Sequence, residues 1–183
     1  MKYEDIPKFF RPPNYNVTSD WNYLEEQLLS WDSREGIEGC LGLDLDPDFQ
    51  RGHVWDEDKQ IAYVEFCLKE GQSSRDLLFN HPGWQTHYRG LMVLVDGKQR
   101  LESVRKFLRN ELPIFDGHYL NDFEDPRRVL RSSGARFNLR VNNLQTKSDV
   151  LLWYLQLNDG GVVHTEEELD KVRMMLDKER SRV

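Results

Sequence analysis

The sequence predicts an α+β domain in which a small mixed sheet packs against helices, and three patterns carry this prediction. Residues 91–95 form a continuous apolar run, which is typical of a strand buried on both faces. Residues 41–45 and 137–141 alternate apolar and polar side chains, as strands with one buried face do. Apolar residues at helical spacing separate and follow these strands, so we expect helices to pack against the sheet.

The remaining elements follow from local signals along the chain. Residues 1–17 contain Pro7, Pro12 and Pro13 without periodicity, so we expect an extended N-terminal arm followed by a single domain over residues 18–183. Ser19 or Asp20 is expected to cap a first helix, and Gly71 to close the second. The predicted helices cover 21–31, 56–70, 98–112, 147–157 and 165–180, with further strands at 77–79 and 114–115.

Composition limits the classes of protein to which the chain can belong. Its 183 residues carry 25 Lys and Arg against 32 Asp and Glu, and 38% are hydrophobic, which is enough for a buried core. The apolar runs are too short to cross a membrane, and the start lacks the apolar segment of a secretion signal, so we expect a cytoplasmic protein. Cys40 and Cys67 are expected to be reduced, and no Cys or His spacing predicts a zinc site.

The net charge of −7 argues against general nucleic-acid binding, which depends on clustered lysine and arginine. It leaves room for DNA contact through a local basic stretch between residues 127 and 140. A solvated surface is the favoured interpretation of that stretch. Its members are Arg127, Arg128, Arg131, Arg136 and Arg140.

The turn after the buried strand at 91–95 is the most informative segment. The strand runs into Asp96 and Gly97, and a helix begins at once with Lys98, Gln99 and Arg100 in its first turn. The first amides of a helix lack partners within it and carry the positive end of its dipole, so a phosphate is a natural ligand there. Lys98 and Arg100 can hold phosphate oxygens, and Gly97 lets the backbone approach them closely.

At the end of the same strand, Asp96 can bind a divalent cation or polarise a hydroxyl group or water. The alternative is a plain strand–turn–helix in which Asp96 caps the helix and both cations are solvated. The local sequence leaves these two interpretations about equally weighted.

Two further segments contain candidate binding residues. Gln50 and Arg51 lie between a strand and a helix, and their neighbours Phe49 and Trp55 can fix the direction of Arg51 for bidentate binding of phosphate. An arginine paired with a surface carboxylate explains the same residues without a ligand. In the third segment, Asn158 precedes a double glycine that can bring backbone close to a ligand, whereas Thr165 and Glu168 form a capping box that needs no functional explanation.

In their residues and their order along the chain, these motifs resemble those of the N-terminal domain of GmrSD-type modification-dependent restriction endonucleases, within the ParB/sulfiredoxin superfamily. That family has a tryptophan in its first helix, then D-F-Q-R-x-x-V-W, V-x-D-G-Q-Q-R-L and L-N-x-G-G motifs, and an E-L helix. The matching positions cover about residues 20–175. They are Trp21, 48–55, 93–101, 157–161 and Glu168-Leu169.

The resemblance implies a ParB/sulfiredoxin-like fold that binds a nucleoside triphosphate with Mg²⁺ at the strand-to-helix turn. Carried over by position, it implies that the 96–100 turn forms the phosphate and metal site, with Asp96 as a Mg²⁺ ligand, and that Gln50 and Arg51 face this turn. Two departures stand out: Lys98 replaces a glutamine of the family motif, and the turn lacks the cysteine that sulfiredoxins use for sulfinic-acid repair. The 183 residues contain neither the helical region nor the HNH-type domain of those restriction enzymes, so we do not expect them to cut DNA in the same way.

We therefore expect a nucleotide-binding domain that hydrolyses a nucleoside triphosphate, or transfers its phosphoryl group, in a phage or bacterial DNA-modification or defence context. A DNA nuclease or a DNA or nucleotide kinase using the same pocket is one alternative. A non-catalytic module whose binding to a protein partner depends on nucleotide is another. The predicted catalytic residues are Asp96, Gln99 and Arg100, the predicted phosphate-binding residues are Gly97, Lys98, Arg100, Gln50 and Arg51, and Asn158 is a further candidate.

Overall fold

The computed structural model describes residues 2–6, 13, 15–32, 40–50, 52, 55–158 and 166–181. Over these ranges the chain forms a five-stranded mixed sheet and six α-helices, which confirms the predicted α+β class. None of these helices is long and apolar enough to cross a membrane. The strands are β1 (Tyr15–Asp20), β2 (Cys40–Asp44), β3 (Asp76–Asn80), β4 (Gly90–Asp96) and β5 (Arg136–Asn142), and the helices are α1 (Leu24–Asp32), α2 (Glu57–Leu68), α3 (Lys98–Leu108), α4 (Pro126–Leu130), α5 (Lys147–Asn158) and α6 (Glu166–Arg180).

The strands lie in the order β1-β5-β3-β4-β2. β1 is antiparallel to β5 and β3 is antiparallel to β4, whereas the β5–β3 and β4–β2 pairs are parallel. β4 is therefore an internal strand, as its continuous apolar run predicts. Its carboxyl end, Asp96, leads through one residue into α3.

Each face of the sheet supports a separate hydrophobic core. Leu77 and Phe79 of β3 join an aromatic-rich core with α1, α2 and α3, whereas Leu78 between them joins a smaller core with α5 and α6. Leu94 and Val95 of β4 divide in the same way, because neighbouring residues of a strand point to opposite faces. The sheet is thus covered by helices on both sides of β3 and β4.

The first helix begins differently from our expectation. Residues 15–17, which we expect to lie in the extended arm, are extended but already belong to β1. Asp20 occupies the N-cap position of the turn that leads into α1, as one of the two predicted candidates, but its side chain makes no capping hydrogen bond. The β1–β5 register sets Asp20 opposite Arg136, and the Asp20 carboxylate accepts a hydrogen bond from Arg136 Nε at 2.9 Å instead. A short 3₁₀ turn, Trp21–Tyr23, then leads into α1.

The end of α2 shows why a glycine follows it. Glu70, rather than Gly71, takes the left-handed conformation (φ 64°), and Gly71 N donates to the carbonyl of Phe66 at 2.9 Å. A Cβ on Gly71 would overlap the ring of Phe66. Gly71 therefore closes the helix as expected, but its small size matters because the Phe66 ring lies against it.

The predicted strand at residues 114–115 is wrong. Ile114 makes only an isolated bridge to His118, and Phe115 and Asp116 both have positive φ, which a strand does not tolerate. The Glu65 carboxylate fixes this turn by accepting the Phe115 N–H at 2.8 Å.

The helix α4 was not predicted from the sequence, although it carries ordinary start signals. Pro126 lies in its first turn, and the side chain of Asp125 accepts a hydrogen bond from Arg128 N at 3.0 Å. Five residues are too few to display a helical period, so only these start signals could have revealed the helix.

The end of α1 lies beside the outermost strand β2. Leu43 N donates to Asp32 Oδ1 at 3.0 Å, and a Cβ on Gly42 would come 3.0 Å from the same oxygen. The last residue of α1 thus covers part of the outer edge of the sheet.

Candidate functional site

The turn between β4 and α3 is built around Gly97. This residue is the N-cap of α3 and has a left-handed backbone (φ 104°), and no side chain caps the helix there. A Cβ on Gly97 would come 2.5 Å from Leu77 Cδ2 and 3.1 Å from the Asp76 carbonyl oxygen. Both the conformation and the packing therefore require glycine. Asp96 is not the cap, which removes one part of the alternative considered above for this turn.

Asp96 and Arg100 form an ion pair across the first turn of α3. Arg100 Nη2 lies 2.5 Å from Asp96 Oδ2, and the Arg100 side chain is only 19% exposed whereas that of Asp96 is 44% exposed. Within the described part of the chain, Arg100 Nε is buried without a hydrogen-bond partner. The guanidinium is thus held mainly by Asp96 and has unused hydrogen-bonding capacity.

Two neutral groups of α2 lie within electrostatic reach of Arg100. Burial raises the pKa of Tyr63 and of Cys67, while the charge of Arg100 acts in the opposite direction on both. The Tyr63 hydroxyl donates to the Ser74 carbonyl at 2.8 Å. Both groups are uncharged at neutral pH, so Asp96 is the carboxylate that balances Arg100.

Lys98 lies on another side of α3 from Arg100. It forms an ion pair with Asp46 and lines a cavity of about 470 Å³ that we call the α3 cavity. Residues two apart on a helix do not face each other, so Lys98 and Arg100 do not meet on this cavity as the sequence analysis expects. The α3 cavity is lined by Leu45, Asp46, Gly52, Lys98, Leu101, Glu102, Arg105 and Lys106.

Gln50 and Gln99 join the two principal motifs of the sequence. Gln50 Nε2 donates to the carbonyl of Leu94 in β4 at 2.5 Å. Gln99 Oε1 accepts the Trp55 N–H at 3.1 Å, and its Nε2 donates to the Gly52 carbonyl at 3.1 Å. The segment that follows β2 is therefore attached to the β4–α3 turn, and Gly52 comes to line the same cavity as Lys98.

Of the remaining candidates, the structure describes only Asn158. Arg51 and the double glycine after Asn158 lie outside the described residues, as does Thr165 of the capping box. Asn158 is the last residue of α5, and its Nδ2 donates to the Tyr154 carbonyl within the same helix at 2.7 Å. This contact gives Asn158 a role in ending α5.

The basic residues between 127 and 140 divide between α4, the residue that follows it and β5. Arg136 pairs with Asp20 at 2.9 Å, and Arg140 pairs with Asp76 at 3.2 Å. Arg131 stacks on the ring of Tyr23 at 5.7 Å. Pairing and stacking therefore reduce the charge that this stretch offers to a DNA backbone.

A second cavity, which we call the α5 cavity, has a volume of about 570 Å³ and lies between the β2–β4 end of the sheet and the start of α5. The α5 cavity was not predicted from the sequence, because residues far apart in the chain form its walls. Its apolar part consists of Pro47, Phe49, Pro82, Leu91, Val93, Leu144 and Val150, and its polar part of Asp44, Asp46, Asp48, Asn80, Gln145, Thr146 and Lys147. Asp46 lines both cavities, so they adjoin at this residue.

Asp96 is the candidate metal ligand from the sequence, and its Oδ1 takes no part in the ion pair with Arg100. Across the described ranges, no group of three or more His, Cys, Asp and Glu side chains could hold a metal ion. A single carboxylate is nevertheless a usual protein contribution to Mg²⁺ that is also bound by phosphates and water. Asp96 therefore fits a Mg²⁺ ion that arrives with a nucleotide.

Comparisons with known proteins give no relative from which a function could be transferred. No protein-family model matches the chain, and neither the curated proteins nor the solved structures that were compared with it gave a match.

Proposed function

We propose that this chain is a ParB/sulfiredoxin-like nucleotide-binding domain that hydrolyses a nucleoside triphosphate, or transfers its terminal phosphoryl group, at the amino end of α3. The observation that carries the proposal is the set of hydrogen bonds by which Gln50, Gly52 and Trp55 are attached to Leu94 of β4 and to Gln99 of α3. Two motifs that lie over forty residues apart in the sequence thereby contribute to one cavity. Their order along the chain, which resembles the GmrSD-type family, supports the same assignment.

Phosphate binding at this place follows from charge and from helix geometry. The amino end of an eleven-residue helix favours an anion, and Lys98 lies in its first turn. Lys98 is paired with Asp46, whose side chain is 77% exposed and can therefore turn into solvent. A phosphate oxygen would replace Asp46 as the partner of Lys98, because a charge-assisted bond to phosphate is at least as strong. Lys106 adds positive charge to the same cavity, whereas the charge of Arg105 is balanced by Glu25 at 2.6 Å.

The chemical step requires stabilisation of the charge that develops on the transferred phosphoryl group. In this proposal Arg100 supplies it from another side of α3, with its guanidinium oriented by Asp96. Because Arg100 does not line the α3 cavity, the terminal phosphate would extend from that cavity across the amino end of α3 to reach it. Asp96 Oδ1 is the acceptor that would orient the attacking water or hydroxyl group. Mg²⁺ bound by Asp96 and the phosphates would neutralise part of the triphosphate charge.

A nucleotide-dependent module without turnover is the second candidate. It is favoured because the predicted catalytic side chains of Gln99 and Arg100 already bind other groups of the chain. Both ends of the Gln99 amide bind backbone, and Arg100 binds Asp96. In such a module nucleotide would displace Asp46 from Lys98 and change the surface offered to a protein partner, without hydrolysis.

Phosphate release and nucleotide binding, measured in parallel with Mg²⁺, test the two candidates. Asp96→Asn is expected to lower turnover by about a hundredfold or more while retaining binding, because the neutral amide keeps the size of the side chain but loses the negative charge that activates the attacking group. Lys98→Met is expected to weaken binding by about tenfold, and Lys171→Met, an exposed lysine on α6, is the matched control.

Binding without turnover in the wild-type chain would support the module. Turnover that is the same in the wild type and in Asp96→Asn would contradict catalysis at this turn. Labelled DNA added to the same assay detects a nicked or phosphorylated product, and either would identify the acceptor.

A further inference from the structure

The two adjoining cavities differ in the charge of their walls. In the α3 cavity, Lys98 pairs with Asp46, Arg105 with Glu25 and Glu102 with Arg109. Among the described charged residues that line it, Lys106 therefore gives this cavity its excess of positive charge. In the α5 cavity, apolar side chains make up much of the wall, and Lys147 stands against three aspartates. An anion is therefore favoured in the first cavity and disfavoured in the second.

The net charge of the α5 cavity is smaller than its three aspartates suggest. Asp48 pairs with Lys147 at 2.8 Å. Asp46 pairs with Lys98 in the chain without ligand, and its carboxylate, which is 77% exposed, would turn into solvent when a phosphate replaces it. The remaining carboxylate, Asp44, accepts the Asp46 N–H at 2.9 Å through Oδ1, which leaves Oδ2 available to a ligand. The cavity thus offers an apolar surface with one strong hydrogen-bond acceptor, which suits an uncharged ring system that carries N–H or O–H donors.

The wall on the α5 side is fixed by buried hydrogen bonds. Asn80 Nδ2 donates to the Leu144 carbonyl at 3.1 Å, and Leu144 N donates to Asn80 Oδ1 at 2.8 Å. These bonds attach the segment before α5 to the end of β3. A cavity of about 570 Å³ with such a wall is preformed and has the size of a small-molecule site.

We propose that the α5 cavity binds the base and ribose of the nucleotide whose phosphates bind in the α3 cavity. This inference rests on the proposed function and adds to it where the nucleoside lies. A nucleotide is uncharged at one end and strongly anionic at the other, and the two cavities have the same asymmetry. Asp46 marks the boundary, and Asp44 accepts a hydrogen bond from the base or the ribose.

The test compares nucleoside triphosphates with inorganic tripolyphosphate, which has the phosphates but no nucleoside. We expect calorimetric titration of the wild-type chain with Mg²⁺ to show that at least one of ATP, GTP, CTP and UTP binds about tenfold or more tightly than tripolyphosphate.

The Leu91→Trp variant fills the α5 cavity. We expect it to lower the affinity for that nucleotide to the affinity for tripolyphosphate, while the affinity for tripolyphosphate changes less than about twofold.

Two further variants make the result interpretable. Leu29→Trp places the same substitution at an exposed position of α1 and should keep the full preference for the nucleotide. Asp44→Asn keeps the volume of the side chain and should weaken nucleotide binding by about tenfold without affecting tripolyphosphate. Asp44→Asn also tests the nucleoside site if Leu91→Trp fails to fold.

Each remaining outcome overturns a defined part of the proposal. A preference for the nucleotide that persists in both Leu91→Trp and Asp44→Asn would place the nucleoside elsewhere. Equal affinity of the wild-type chain for all four nucleotides and tripolyphosphate would remove the nucleoside site but keep the phosphate site. No binding of any of these ligands would remove the proposed function and the inference together.

Discussion

Arg100 returns across the first turn of α3 to Asp96, with 2.5 Å between Nη2 and Oδ2, instead of extending beside Lys98. The pair therefore orients a guanidinium at the end of β4 on one side of the turn, while Lys98 and Asp46 form a second pair on another side. A ligand bound at the amino end of α3 would therefore face two ion pairs: Asp96–Arg100, which it can leave intact, and Asp46–Lys98, which it must open to reach Lys98.

Arg100→Met is expected to reduce phosphate release by about a hundredfold or more, because it removes the group that stabilises the transferred phosphoryl group. The free energy of unfolding should fall by only about 1 kcal/mol, since Asp96 is partly exposed and can be solvated. Steady-state kinetics and urea denaturation measure the two effects. Arg109→Met, at an exposed ion pair farther along α3, is the control. Undiminished phosphate release in Arg100→Met would show that Arg100 has only a structural role.

Gln99→Ala is expected to lower the free energy of unfolding by about 2 kcal/mol, because it removes the hydrogen bonds to Gly52 and to Trp55 together. Gln72→Ala removes a single hydrogen bond to Glu70 at the surface and should cost no more than about 0.5 kcal/mol. Urea denaturation compares the two variants. Equal stability would mean that the 50–55 segment does not depend on Gln99 for its position.

Gly134→Ala is expected to destabilise the fold by about 2 kcal/mol or more. A Cβ there would overlap the Cys67 carbonyl oxygen and come 3.0 Å from Leu68 Cα, and backbone atoms cannot turn away as a flexible side chain can. The same change at Gly52, where nothing lies within 4 Å of the new Cβ, should be within about 0.5 kcal/mol of the wild type. The difference in melting temperature between Gly134→Ala and Gly52→Ala measures this effect, and a difference near zero would contradict the packing described for the end of α2.

Glu65 gives the fold a dependence on pH. Its hydrogen bond from Lys69, together with that from Phe115 N, holds the pKa of Glu65 below its ordinary value of 4.5. Because the pKa is lower in the folded than in the unfolded chain, the stabilisation is fully present above that ordinary value and is lost as the pH falls through the lowered one.

Unfolding experiments between about pH 6 and pH 2.5 can isolate this effect with Glu65→Gln, which cannot ionise there. Wild type is expected to be the more stable of the two at pH 6, and its advantage should shrink steadily on acidification. A constant difference across the range would show that the Glu65 carboxylate does not stabilise the 114–118 turn.

The sequence predicts those parts of the fold whose signal is local. The apolar run of β4, the alternation of β5 and the helical periods of α2, α3 and α5 all appear where we expect them, because each is long enough to display its period. The turn at 114–118 could not be predicted in this way. It depends on a contact with Glu65, fifty residues earlier, and the apolar pair Ile114-Phe115 resembles a strand when this contact is unknown.

The candidate site shows the same division. The end of β4, the glycine and the start of α3 within residues 93–100 were predicted from the sequence, because consecutive residues determine all three. That Lys98 and Arg100 point to different sides also follows from helix geometry and could have been predicted. The attachment of Gly52 to Gln99 and the walls of the α5 cavity could not, because they depend on how distant segments pack.

Asp32 affects how readily molecules of this chain associate with one another through the β2 edge of the sheet. A strand at the end of a sheet can recruit strands from other molecules, which is a common origin of fibrous aggregates. Here a strand from another molecule would have to displace the Asp32 carboxylate from the Leu43 amide. The displaced carboxylate would then lie against the backbone carbonyls of the incoming strand. The β2 border is therefore a poor template for intermolecular growth, and a single side chain at the end of α1 provides this protection.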